Sequence, residues 1–121
     1  SSDRYHEWAR AEFAGLHPPL FTCEAVLAEA VYLSRGAKVE ATAPIGLIRR
    51  GVLQIDFELE AEHAAIETLL ARYAPRMDLA DACLVRMSEL HRESRILTLD
   101  KDFRVYRRFG RQVVPVLMPE R

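Results

Sequence analysis

A parallel β-sheet with helices on both faces is the fold this sequence predicts, and three observations predict it. Short β-type runs alternate with amphipathic helical patterns along the chain, the order that builds a parallel sheet through crossover helices. At 121 residues the chain has the length of one domain with one core. Half of the residues are hydrophobic and 29% are charged, with no low-complexity run and no internal repeat, which is an ordinary globular composition.

Taken in order, Asp3 caps a helix over residues 4–14, where Tyr5, Trp8, Ala9, Phe13 and Leu16 recur at helical spacing and Gly15 supplies a stop. His17-Pro18-Pro19 breaks the chain. Leu20 and Phe21 form a short strand that leads into Thr22, an N-cap for a helix over 22–35 that Gly36 ends. At a hundred degrees per residue, Glu29 falls among Ala25, Val26, Tyr32 and Leu33 and points into the apolar face. Residues 39–50 make a further helix, delayed or made irregular by Pro44 and Gly46 and ended by Gly51. A strand follows over 52–57, then a helix over 58–74 with Leu59, Ile66, Leu69, Leu70 and Tyr73 inward and Pro75 at its end. The next helix, 78–93, places Leu79, Ala80, Cys83, Met87 and Leu90 on one side and Asp81 at the margin. The chain closes with a strand over 95–99, a turn or short helix over 103–108, Gly110, and a strand over 112–117 whose Pro115 marks a sheet edge.

Composition narrows the function classes. No apolar stretch reaches the roughly 20 residues that span a bilayer and no signal-peptide pattern opens the chain, so a cytoplasmic protein is expected. Cys23 and Cys83 lack metal-ligand spacing and read as small buried thiols. The four histidines have no zinc or triad spacing. Net charge is −1, yet the 17 basic residues include only two lysines. Arginine is the residue suited to bidentate phosphate contacts, although a genome rich in Arg codons gives the same bias.

The chemistry resides in the acids. Asp78 and Asp81 open a helix three residues apart, hence on one surface. Their structural alternative is capping, with Asp78 accepting from first-turn amides and Asp81 complementing the helix dipole. Ile96-Leu97-Thr98-Leu99 is a strand that stops on Asp100 and Asp102, where a turn is the alternative. Glu29 is a third acid, and a carboxylate in an apolar face demands a partner: an Arg, backbone amides or a cation. In parallel sheets, ligands bind at the carboxyl ends of strands; Glu29 follows one such end, Asp100 and Asp102 sit on another, and Asp78 and Asp81 open the helix leading into that second strand, so the three clusters share one edge.

Val26-Leu27-Ala28-Glu29-Ala30, Asp81-Ala82-Cys83-Leu84-Val85 and Leu97-Thr98-Leu99-Asp100-Lys101-Asp102-Phe103 together make the chain resemble, over essentially its whole length, the PIN-domain nucleases. Within them it is similar to the VapC-like ribonuclease toxins of bacterial toxin–antitoxin pairs. The resemblance implies a three-layer α/β/α fold and Mg²⁺- or Mn²⁺-dependent hydrolysis of RNA phosphodiesters. It further implies a cognate antitoxin covering the acidic groove, and a homodimer. It carries over Glu29, Asp81 and Asp100 as catalytic and metal-binding acids, with Asp102 and Asp78 as further metal ligands. One departure stands out: the family's first, central strand, ending in its first metal-binding Asp, has no counterpart here, so residues 1–121 are expected to be one N-terminally incomplete PIN-like domain.

The residues make independent sense of that chemistry, since Mg²⁺ takes oxygen ligands, keeps several waters and needs few carboxylates. Bound to such a site, it activates water and polarises the phosphoryl oxygen without a side-chain nucleophile. Thr98 is placed to orient a carboxylate or a water. Arg49, Arg50, Arg76, Arg104, Arg107 and Arg108 are candidates for the RNA phosphate track. Two competitors remain: an aspartate-based phosphatase, disfavoured because its Asp-x-Asp normally lies on the first strand, and a degenerate PIN-like module that binds RNA or a partner protein without cleaving.

Overall fold

The computed structural model describes residues 11–12, 15–35 and 40–119. The expected opening helix falls outside these residues except at its end, where Ala11 and Glu12 are helical. Strand β1 (Leu20–Thr22) leads into helix α1 (Glu24–Ser34); α2 (Ala43–Arg49) and β2 (Leu53–Ile55) follow. Helices α3 (His63–Tyr73) and α4 (Leu79–Leu90) precede β3 (Ile96–Leu97). A 3₁₀ turn at Lys101–Arg104, the hairpin strands β4 (Arg107–Arg108) and β5 (Gln112–Val113), and β6 (Val116–Leu117) complete the chain.

The chain is α/β, as the alternation predicts, and the sheet is in pieces. β1 pairs in parallel with β2, Leu20 opposite Leu53, and β3 pairs in parallel with β6, Ile96 opposite Val116. β4 and β5 form a separate antiparallel pair. Among the described residues the two parallel pairs share no hydrogen bonds as one sheet, and a cavity of about 880 Å³, lined by residues of both pairs and of α1, α2 and α4, adjoins them. The expected single strand over 112–117 therefore divides. Buried Val114 and Pro115 lie between β5 and β6, so the first half closes a hairpin and the second half joins β3.

The core collects Ile66 and Leu69 of α3, Ala82, Cys83, Val85 and Met87 of α4, and Phe103, Tyr106 and Val114 from the C-terminal segment. Helix α4 is central to it, packing against α3, α1 and the hairpin. Small residues make that possible: Ala82 and Val85 are fully buried, which brings neighbouring side chains close to the α4 backbone. Cys23 and Cys83 are buried free thiols, as expected. The hydrogen bond with the neighbouring Cys23 sulfur, and then burial, hold the Cys83 thiol protonated, well above the usual thiol range.

Several helix faces differ from expectation, each for a local reason. The N-cap of α1 is Cys23, one residue later than Thr22, because Thr22 stays in β1 and pairs with Ile55. Glu29 is exposed, and so are Tyr32 and Leu33, at 66% and 62%; the buried residue of α1 is Leu27. With apolar residues almost all round this helix, periodicity does not single out the inward face. Leu59 is exposed because α3 starts at His63 rather than residue 58, although Ile66, Leu69, Leu70 and Tyr73 are buried or half-buried as expected. Leu79 and Leu90, the first and last residues of α4, are exposed. α2 starts at Ala43 with Pro44 in its first turn, and Gly51 ends it at φ +79°, a conformation that suits glycine.

Candidate functional site

The acidic site is built around the start of α4. Asp78 is the N-cap, its Oδ1 accepting the Asp81 N–H at 2.8 Å while the Asp81 Oδ2 accepts the Asp78 N–H at 3.3 Å. The capping alternative raised by the sequence is therefore real, and the pair forms a reciprocal box. Capping does not exhaust Asp81. Its carboxyl pKa is pushed up from 3.8 to about 6, first by burial and then by the negative charges of Asp78 and Asp100, against the lowering effect of the Asp78 amide and the Tyr106 hydroxyl. A carboxylate destabilised by burial and like charges is one a cation would stabilise.

Asp100 reaches this region from the end of β3. Its N–H donates to Thr98 Oγ1 at 2.9 Å, and its Oδ1 accepts the Asp102 N–H at 2.9 Å, so strand and 3₁₀ turn are joined by two short side-chain bridges. Thr98 thus holds the backbone of Asp100, whereas the sequence had suggested that it orients a carboxylate or a water. Asp102 pairs with Arg76 at 3.8 Å, both half-exposed.

Tyr106 is the residue that sequence reasoning missed. It is fully buried, and its hydroxyl donates to Asp81 Oδ2 at 3.0 Å. Phe103 and Tyr73 meet its ring edge-on at 5.2 and 5.1 Å, a geometry aromatic pairs prefer. Burial and the Asp81 carboxylate raise the Tyr106 pKa, keeping the hydroxyl a donor. The apolar spacing of Phe103 and Tyr106 marks them as anchors of the turn, but a contact spanning 25 residues has no local signal.

The structure brings Asp78, Asp81 and Asp100 into one electrostatic neighbourhood, with Asp102 beside it through Tyr106. Glu29 is exposed on α1 and enters none of the hydrogen bonds or ion pairs of that cluster. Among the described residues, no three His, Cys, Asp or Glu side chains lie close enough together to hold a metal ion. An all-oxygen, mutually repelling donor set nevertheless has the chemistry of a hard divalent cation site.

The arginines divide. Arg49, Arg50 and Arg104 are exposed, and Arg104 also reaches the Pro119 carbonyl at 3.4 Å. Arg107 donates to the carbonyls of Arg104, Val105 and Tyr106, and Arg108 to those of Ser88 and Arg92. These last two guanidiniums hold the hairpin in place. Arg76 is committed to Asp102. His91 pairs with Asp56 at 3.2 Å and stacks on Phe21, a structural role.

Replacing Tyr106 with Phe separates the hydroxyl from the ring. We expect Tyr106→Phe to cost about 0.5–1.5 kcal/mol of stability and to move the Asp81 titration above pH 6, because one of the groups lowering its pKa is gone. Carboxyl ¹³C shifts followed against pH check this; a midpoint unchanged or lower would show that the hydroxyl does not stabilise the charge.

A family model described as PIN domain matches residues 1–108. No curated protein matches the chain.

Proposed function

We propose, from the premise that this chain belongs to the PIN-domain family, that it is a metal-dependent endoribonuclease of the VapC-like toxin class. PIN domains are generally nucleases, and typically metal-dependent hydrolases; the substrate, the ion and the toxin role are our reading. The observation that carries it is the cluster at the start of α4, where the Asp81 carboxyl is tied to the Asp78 amide and the Tyr106 hydroxyl and where burial first, and the charges of Asp78 and Asp100 after it, lift its pKa to about 6.

In this reading, Asp81 and Asp100 would hold Mg²⁺ or Mn²⁺, and Glu29, Asp102 and Asp78 would contribute as further ligands or as holders of bound water. When bound, the ion supplies an activated water and charge stabilisation at the phosphoryl group. The chain's own residues do the positioning. Tyr106 fixes the Asp81 carboxylate, Thr98 fixes the turn that presents Asp100, and the α4 cap fixes the helix that carries Asp81. Arg49, Arg50 and Arg104, exposed on the surface, are the better candidates for phosphate contacts, with Arg76 available if it leaves Asp102.

A three-layer PIN domain spanning residues 1–121, an antitoxin partner, a homodimer and a cytoplasmic setting belong to the same proposal. The exposed apolar side chains Tyr32, Leu33, Ile45 and Ile55 on α1, α2 and β2 support a protein partner. No helix among the described residues is long and apolar enough to cross a membrane.

The observation that no three-residue metal group closes among the described residues favours a second reading, a PIN-like module that binds RNA or protein without cleaving. Cleavage of labelled RNA and DNA of matched sequence, with Mg²⁺, Mn²⁺ or excess chelator, separates the two. We expect cleavage of RNA that stops with chelator and returns with added ion. RNA binding without cleavage under every ion condition, with no calorimetric signal for metal, would establish the module instead.

A further inference from the structure

The tip of the β4–β5 hairpin presents an aromatic ring among arginines. Residues 103–119 carry four arginines and no acidic residue, in a chain whose net charge is −1, so positive charge is gathered in this segment. The turn runs from Arg108 to Arg111, whose N–H donates to the Arg108 carbonyl at 3.2 Å. Its two central residues, Phe109 and Gly110, have φ of 52° and 79°. Gly110 suits that conformation, and Arg72 of α3 closes over it, with Nη1 3.4 Å from where a side chain would begin. Phe109 does not suit it. Turns of this kind favour Asn or Asp before Gly, and a bulky side chain at positive φ is strained.

The Phe109 ring is not buried in the core in return. It is 39% exposed, and the Arg92 guanidinium lies over it at 4.8 Å from the centroid, with that of Arg108 at 5.7 Å, within the range of cation–π attraction. Arg72, Arg92 and Arg111 are exposed and, among the described residues, enter no salt bridge. Glu89, the acid bonded to the tip, gives one oxygen to the Phe109 N–H and the other to Arg86. A strained, exposed ring framed by cations fits a ligand that has both planar faces and negative charge. An acidic peptide satisfies the cations and not the ring; an apolar protein surface satisfies the ring and not the cations. Single-stranded RNA offers a base face and a phosphate at every nucleotide, and its bases stack on aromatic rings and on guanidinium planes alike.

We propose that the hairpin tip is a contact for single-stranded RNA. One unpaired base stacks on Phe109, or on the Arg92 guanidinium over it, while Arg72, Arg92 and Arg111 hold the flanking phosphates. The contact rests on RNA being the substrate, as in the nuclease reading, and adds a point of attachment outside the acidic cluster. Helix α4 links the two places. The hairpin starts next to Tyr106, whose hydroxyl bonds Asp81, and its tip is bonded to Glu89. From residue 81 to residue 89 is about 12 Å along the helix axis, so RNA held at the tip reaches the acids within a few nucleotides. A base must be unpaired to stack there, and the tip thereby favours unpaired segments.

Anisotropy of a labelled single-stranded RNA, titrated with the protein in excess chelator so that no ion-dependent cleavage intervenes, tests this. Phe109→Ala is expected to weaken binding on the order of tenfold, and Phe109→Trp to bind as the parent does. Arg92→Ala and Arg111→Ala should each lower the slope of log affinity against log salt by about 0.7. Phe109→Asn separates recognition from folding. Relief of the turn should leave its melting temperature at or above that of the parent, while RNA affinity falls as far as in the alanine variant. Alanine and asparagine variants that bind RNA as tightly as the parent would overturn the proposal and leave the nuclease reading standing. So would duplex RNA or a polyglutamate peptide held as tightly as the single strand. A parent protein that binds no RNA overturns both.

Discussion

Asp81→Asn is expected to abolish most cleavage and, in the metal-free protein at pH 7, to raise the melting temperature. The two effects have one cause. In the folded chain Asp81 ionises with a pKa of about 6, against 3.8 for an unhindered aspartate. Between these values the folded state holds the proton and the unfolded state has released it, so stability falls as pH rises from about 4 to about 6 and stays at the lower level above. The shift corresponds to at most about 3 kcal/mol, less where water screens the carboxylate. Asparagine keeps an oxygen for the Asp78 amide and the Tyr106 hydroxyl but carries no charge, so it removes this penalty, and a rise of a few degrees in Tm is expected. Under the proposed mechanism activity moves the other way, by on the order of a hundredfold or more, because the variant lacks the charge that would hold the ion. Thermal melts at pH 4 and pH 7 with cleavage assays at pH 7 check both halves. The stability gain should shrink at pH 4, where the native carboxyl is already protonated. Full cleavage by the variant would remove Asp81 from the mechanism, and a Tm lowered equally at both pH values would show that its role is capping alone.

Phe103→Ala is expected to have the largest effect on stability, about 3–5 kcal/mol, against the ~5–15 kcal/mol that typical domains possess. Phe103 is 2% exposed, lies in the 3₁₀ turn between Asp102 and Tyr106, and meets the Tyr106 ring edge-on. Its removal leaves a void beneath the residue that positions Asp81, so cleavage should fall even at temperatures where the chain remains folded. Phe103→Leu, which keeps most of the volume, should cost less and retain more activity. Urea titration gives the stabilities. A loss below 1 kcal/mol for the alanine variant would mean the turn collapses freely onto the space.

Much of the site was legible because it is local. Asp78 and Asp81 three apart, or Thr98, Asp100 and Asp102 at alternate positions, announce a cap and a strand-ending turn from spacing alone. Strand–helix alternation likewise gave the α/β class, and the apolar spacing of α3 picked out Ile66 and Leu69. What escaped was decided at a distance. The inward side of α1 depends on which of its many apolar residues meets α4, and that placed Leu27 inside and Glu29 in solvent. The division of 112–117 depends on two separate partners, β4 and β3, competing for adjacent residues. Tyr106 became part of the site only when the turn after β3 folded back onto the first turn of α4.

Arg86 adds a polar link between segments that the core already packs against α4. Its Nε donates to Glu62 at 2.7 Å, just before α3, and its Nη1 to Glu89 at 2.9 Å, while the other oxygen of Glu89 accepts the Phe109 N–H at the tip of the β4–β5 hairpin. One guanidinium therefore couples the start of α3 to the hairpin through α4. Local opening in such a network is cooperative: native-state hydrogen exchange should find the first turn of α3 and the hairpin tip opening together as one unit, and Arg86→Ala should divide that unit in two while the amides around Asp78 and Asp81 keep their protection.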